Sequence, residues 1–198
     1  THAQGDSAIQ IVLDAVTEAL DDVERHDHRH RIEHCGMPTD EQIARIAELG
    51  IYPIPQPTHH YLVGDALVEA LGEKANRYNP YGLFRDAGVP IVLSSDTPVS
   101  GPDPLEAVWA AVTRQTRYGS TLGGPELCLT VEQALRGYTI NGAAATKRDH
   151  LVGSLEPGKL ADLVVLSDDP LAANIDDLRS IRVEETWVDG APVDFARL

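Results

Sequence analysis

His2, His34 and Asp96 each stand where a short strand is expected to run out. Imidazole nitrogens and a carboxylate are donors that a divalent metal such as zinc accepts. A carboxylate in such a place can also take the proton of water whose pKa the metal has lowered to roughly 7. Two-residue alternation puts Ile32 and His34 on one face of a strand, and Val92, Ser94 and Asp96 on one face of another, so one face carries packing and reactive groups together. The C-terminal ends of strands are where the active sites of parallel barrels collect. Plainer roles fit the same residues. A His ahead of a helix also serves as a cap or surface group, and an Asp before Thr97-Pro98 also serves as a loop cap. Spacing alone leaves both open.

Alternating strands and helices would position these groups. Asp6 is a candidate N-cap for a helix whose apolar residues Ile9, Val12, Leu13, Val16, Leu20 and Val23 recur at three- and four-residue steps. Residues 30–34 alternate as a strand. Thr39 and Gln42 form a capping box opening a helix through Leu49, which Gly50 stops. Residues 51–55 read as a strand with prolines at its end. Residues 56–80 read as a long connection with helical character around 66–71. A short helix follows over 81–87, then a buried strand over 89–94. Asp103 with Pro104 opens a helix to about Thr116, and Thr130 with Gln133 opens another. Beyond residue 150 the pattern changes to strands at 161–166 and 183–188, then an Asp189-Gly190 hairpin into 191–193. Strand–helix alternation predicts a parallel α/β fold, and the tail a small antiparallel unit.

Composition narrows the partners. The chain of 198 residues carries 16 Lys and Arg against 31 Asp and Glu, a formal charge of −15. That balance disfavours nucleic acid and anionic membrane surfaces, which reward clustered basic residues. No apolar run approaches the roughly 20 residues a membrane span needs. Two cysteines, Cys35 and Cys128, make no disulfide framework, and a cytoplasmic, reducing compartment is expected. The chain opens on Thr1-His2-Ala3-Gln4-Gly5-Asp6, without an initiator Met, and reads as the C-terminal piece of a longer protein.

Four strings sharpen the picture: 2–6 (HAQGD), 29–34 (RHRIEH), 56–59 (QPTH) and 95–99 (SDTPV). In that order they resemble the second half of the amidohydrolase superfamily, nearest to its family 3 of metal-dependent hydrolases. Residues 153–166 (GSLEPGKLADLVVL) resemble the segment returning those chains to a small β-sandwich. The resemblance implies the C-terminal part, about strands five to eight, of a (β/α)8 TIM barrel over 1–150, with β-sandwich strands over 151–198. It implies His2 as the metal ligand ending strand five, His34 as the ligand ending strand six, and Asp96 as the strand-eight ligand and proton shuttle. Residues 51–55 would be strand seven, and Gln56 and His59 beyond it would face a small-molecule substrate. The family's His-x-His pair and bridging residue have no counterpart among the eight histidines here. The His26-Asp27-His28-Arg29-His30 run precedes its strand and reads as a solvated connector.

The implied activity is hydrolysis of a C–N bond, amide or related and non-peptide, with a divalent metal, zinc foremost and iron, nickel or manganese open. Two other readings stand beside it. One is an inactive half barrel whose bare strand edges drive self-association into a homo-oligomer; the other is an unrelated α/β binding module. Asp6 would orient His2, cap its helix, or both, and Arg31 and Glu33 would pair on the face away from Ile32.

Overall fold

The computed structural model describes residues 1–23 and 25–194. Three parallel strands, β1 (His2–Ala3), β2 (Arg31–His34) and β3 (Tyr52–Ile54), lie in the order β1-β2-β3. The crossovers are α1 (Asp6–Asp22) and α2 (Asp40–Leu49). Ala3 pairs with His34 and Glu33 with Ile54, so three strands end side by side. The expected stripe on α1 seals this sheet: Ile9 and Leu13 are buried with Ile32, Ile43, Ile46 and Ile51. Each such side chain stabilises the fold by about 1.5–3 kcal/mol relative to exposure. Gly5 occupies the α1 N-cap position and Asp6 the first turn, one residue from the expected cap, with its carboxylate accepting from the Ser7 amide at 2.6 Å. The Thr39–Gln42 capping box forms in full, and Gly50 ends α2 at φ +65°.

Two sequence expectations change here. Residues 56–80 are mostly helical: α3 spans Pro57–Leu71, followed by a 3-10 turn at Gly72–Arg77. Pro57 starts α3 because its fixed φ suits a first helical position. The buried first-turn residues Thr58, His59 and His60 are polar, which hid the helix from hydrophobic periodicity. Val89, Ile91, Val92 and Leu93 are buried as expected, but Pro90 is exposed and residues 89–94 form no ladder among the described residues. Pro90 lacks a donor, the Leu93 amide goes to Gly137 O at 3.2 Å, and the Ser94 amide reaches Pro55 O at 3.3 Å.

After α4 (Tyr81–Asp86), α5 runs from Pro104 to Thr113, capped by Asp103 through the Leu105 and Glu106 amides. It stops short of Thr116 because Arg114 turns left-handed at φ +53° and sends its guanidinium inward. Arg114 is completely buried, and no carboxylate among the described residues pairs with it. Its donors go to the carbonyls of Leu122, Asn79, Asn76 and Tyr78, the Asn79 and Tyr78 bonds at 2.7 Å, and its Cζ lies 5.6 Å from the centre of the Tyr81 ring. Burial pushes its pKa down, yet four carbonyl dipoles and the ring face hold the charge. The helices α6 (Val131–Tyr138), with its Thr130–Gln133 capping box, and α7 (Ile140–Ala145) complete this part.

The tail is antiparallel as expected: β4 (Leu163–Leu166), β5 (Val183–Val188) and β6 (Ala191–Pro192), with Asp189 and Gly190 at φ +50° and +73° in the hairpin turn. A 3-10 turn at Ile175–Ser180 ties it back. Leu178 joins the main core, and Arg179 lies 4.7 Å over Trp109 and 3.3 Å from Glu106. At the other end of the β1–β3 sheet, Arg29 bridges Asp27 and Asp149, both at 2.6 Å, and donates to Ala144 O. Arg31 and Glu33 pair with each other at 3.4 Å.

Replacing Arg114 by Met leaves four carbonyls without their donor in a site water does not reach, and is expected to cost about 3–5 kcal/mol in chemical denaturation. The Arg29 hydrogen bonds lower the carboxyl pKa values of Asp149 and Asp27. A carboxyl pKa depressed by folding stabilises the native state above the ordinary value near 4, and that contribution is lost as pH falls through the folded value. Acid titration of stability below about pH 5 is therefore expected to be shallower in Arg29→Gln than in the parent.

Candidate functional site

The ends of β2 and β3, the first turn of α3 and the loop after residue 94 converge on one cluster. His34, His59 and Asp96 each present a donor atom there, all within 4.8 Å of one another. His34 is buried at the tip of β2; His59 is buried in the first turn of α3; Asp96 is exposed at the rim. His59 Nε2 stands 3.7 Å from Asp96 Oδ2 and has no hydrogen-bond partner among the described residues although it is buried. Burial pulls the His59 pKa below its ordinary value, Asp96 opposes that, and His34 adds to it. Two imidazoles beside a carboxylate, one with an unused buried nitrogen, are a donor set that fits a divalent cation.

His2 sits differently from the other expected ligands. Its ring is exposed and meets the His34 ring edge-on, with centroids 4.4 Å apart. It therefore flanks the cluster while His59, read from the sequence as facing substrate, lies inside it. The stacked rings of His34 and His59, 5.8 Å apart, show how the first turn of α3 brings this about. Among the described residues no hydrogen bond joins Asp6 to His2; the Asp6 Oδ1 accepts from the Ser7 amide and hydroxyl.

Gln56 is 2 % exposed and wholly engaged. Its Oε1 meets His34 Nδ1 at 2.7 Å, and its Nε2 donates to Ile54 O at 2.6 Å and Ser94 Oγ at 3.1 Å. Expected to face substrate, it instead faces His34, since both ends of its amide are used inside the protein. The Asn79 amide holds the Gln56 carbonyl at 3.1 Å, and Arg114 holds the Asn79 carbonyl, so the buried guanidinium supports the site through two residues. Ser94, Asn79 and Arg114 carried no sequence signal for this, because their partners are backbone and amide groups far away in the chain. Cys35, next to His34, is fully buried, and burial pushes its thiol up to about 12, leaving it a packing residue.

The loop carrying Asp96 is stitched down. Thr58 Oγ1 and Ser100 Oγ are 2.6 Å apart, Ser95 Oγ and Thr97 Oγ1 2.8 Å apart, and Ser100 Oγ also donates to Ser95 O. Both His34 and Asp96 take positive φ, +72° and +54°, a conformation costing about 1–2 kcal/mol for a residue with a Cβ. Beside His59 opens a cavity of about 320 Å³ with mainly apolar walls, among them Met37, Leu62, Leu67, Tyr78 and Val99, with Gln4 at its edge.

The left-handed backbone at Asp96 makes a stability prediction independent of chemistry. Asp96→Gly should be more stable than Asp96→Ala by about 1 kcal/mol in urea denaturation without metal, although both remove the carboxylate. Equal stability of the two variants would show that the backbone there is unstrained.

Comparison with known proteins agrees with this geometry. The profile of the amidohydrolase family matches residues 1–194. The chain is 38% identical over 191 residues to an N-substituted formamide deformylase of Arthrobacter pascens, covering 96% of this chain and 35% of that protein. An uncharacterized metal-dependent hydrolase from Pyrococcus horikoshii OT3 superposes with a TM-score of 0.74 at 28% identity, over 88% of this chain and 35% of the other. An adenosine deaminase from Xanthomonas campestris, solved with bound zinc, shares the fold at a TM-score of 0.64 and 21% identity, over 99% of this chain and 47% of its own. The chain thus spans about a third of the length of the curated relatives it matches, and its mixed α/β structure is consistent with part of a metal-dependent hydrolase barrel. The reading as an unrelated binding module falls with these matches: the chain belongs to the amidohydrolase family.

Proposed function

We propose that the chain carries the C-terminal ligands of a divalent metal, zinc foremost, in a hydrolase that cleaves a non-peptide amide or related C–N bond. In this reading β1, β2 and β3 are barrel strands five, six and seven, residues 89–94 are strand eight, and residues 1–150 form the barrel part. Residues 151–198 contribute strands to a small β-sandwich. Exposed Val164, Val183 and Val188 on β4 and β5 support a further covering layer there. The observation that carries the reading is the convergence of His34, His59 and Asp96, with His2 against the His34 ring.

His34, His59 and Asp96 would hold the ion, with His2 as the flanking imidazole. A divalent ion so held supplies Lewis acidity, polarising a carbonyl and raising the acidity of water. The protein's own groups do the rest. The Asp96 carboxylate, open to solvent on one side, takes the proton of the attacking water and returns it to the leaving nitrogen. His59 Nε2 faces that carboxylate at 3.7 Å across the cluster. The apolar cavity beside His59 receives a hydrocarbon substituent of the substrate and excludes water around it. An N-substituted formamide, the substrate class printed in the name of the Arthrobacter pascens relative, has that shape.

Zinc incubation, gel filtration and plasma mass spectrometry are expected to find about one metal per chain, lost in His34→Ala; metal indifferent to that change would overturn the ligand set. Hydrolysis of N-alkyl and N-aryl formamides by the active protein should fall at least about 100-fold in Asp96→Ala, the scale of a general acid–base group. Unchanged turnover would remove Asp96 from the chemistry.

A further inference from the structure

We propose that Gln56 is the positioning residue that fixes which nitrogen of His34 faces the site. The inference follows from the direction of its hydrogen bonds. A backbone carbonyl can only accept, so the end of the Gln56 amide against Ile54 O, 2.6 Å away, must be the NH2 end. Ser94 Oγ, at 3.1 Å from the same nitrogen, satisfies its second hydrogen. The amide therefore cannot flip, and the end presented to His34 Nδ1 at 2.7 Å is the oxygen. An oxygen without hydrogen demands a donor in return, so His34 carries its proton on Nδ1 and leaves the Nε2 lone pair to the cluster with Asp96 and His59.

The arrangement is built to be rigid. Gln56 lies between β3 and the first turn of α3 and is 2 % exposed, so water does not compete for its amide. Its backbone carbonyl is held by the Asn79 side chain, and the Asn79 carbonyl by buried Arg114. His34 itself sits at positive φ, so its ring direction depends on this bond more than it would on an ordinary strand. Only the consequence for metal affinity rests on the function proposed above; the tautomer is a property of the chain alone.

The test begins with the unaltered, metal-free chain. Nitrogen-15 NMR of the His34 ring is expected to show the proton on Nδ1; a proton on Nε2 would overturn the proposal with no variant made. In Gln56→Met, which keeps the volume and loses the acceptor, the ring is expected to populate both tautomers, and zinc affinity by chelator competition should fall about 10–100-fold. Gln56→Glu offers His34 an oxygen again but loses the NH2 that serves Ile54 O. It is expected to melt at or below Gln56→Met while restoring the Nδ1–H tautomer and most of the zinc affinity. Affinity that follows melting temperature across the two variants, or a His34 tautomer unchanged in Gln56→Met, would show a merely structural residue. An unaltered chain that binds no zinc would sink the metal reading, and the NMR result would still decide the role of Gln56.

Discussion

A single buried cation organises the inner part of this molecule. Arg114 has no carboxylate partner among the described residues, and a guanidinium withdrawn from water is tolerated only where its hydrogen bonds are nearly all made. Here the carbonyls of residues 76, 78, 79 and 122 make them, with the Tyr81 ring beside the charge. Meeting that demand gathers three segments: the end of α5, the loop before α4 and the strand-like stretch at Leu122. Burying a charge to order loops has a cost that a hydrocarbon core would avoid, but hydrocarbon could not have fixed the direction of four carbonyl groups.

From there the constraint reaches the site by polar contacts alone. Asn79 joins the Arg114 pocket to the backbone of Gln56, and Gln56 joins β3, Ser94 and His34. On the far side of the cluster, hydroxyl groups of Thr58, Ser95, Thr97 and Ser100 hold the loop that presents Asp96. The reactive groups thus sit on a strand tip, a helix start and a loop, with their supports packed beneath them. Positive φ at both His34 and Asp96 marks where local stability yields to the placing of a side chain.

The family match and the cluster reinforce each other from different directions. Membership rests on residues 1–194 as a whole, whereas the donor set rests on three side chains within 4.8 Å. Four imidazole and carboxylate groups on two strands, one helix start and one loop are compatible with the chemistry of a metal-dependent hydrolase. The apolar cavity beside His59 adds a wall that small polar substrates would not need.

Much of this was legible in the chain itself. Period-two and 3.6-residue patterns located β2, α1 and α2; capping chemistry set the starts of α2, α5 and α6; Gly50 and Asp189-Gly190 set a stop and a turn. These are local effects, decided by residues within a few positions of one another, so sequence is enough. His34 and Asp96 were likewise visible, as polar groups at strand ends. What tertiary structure alone decided was who meets whom: His59 entering the cluster with His2 at its flank, Gln56 turning to His34 and away from substrate, and Arg114 leaving its helix to collect carbonyls from dozens of residues away. Such contacts join groups remote in sequence, and backbone carbonyls leave no mark in residue type. The helix α3 was missed for a related reason: its buried face is polar where it serves the site, so the hydrophobic period that reveals a helix is broken there.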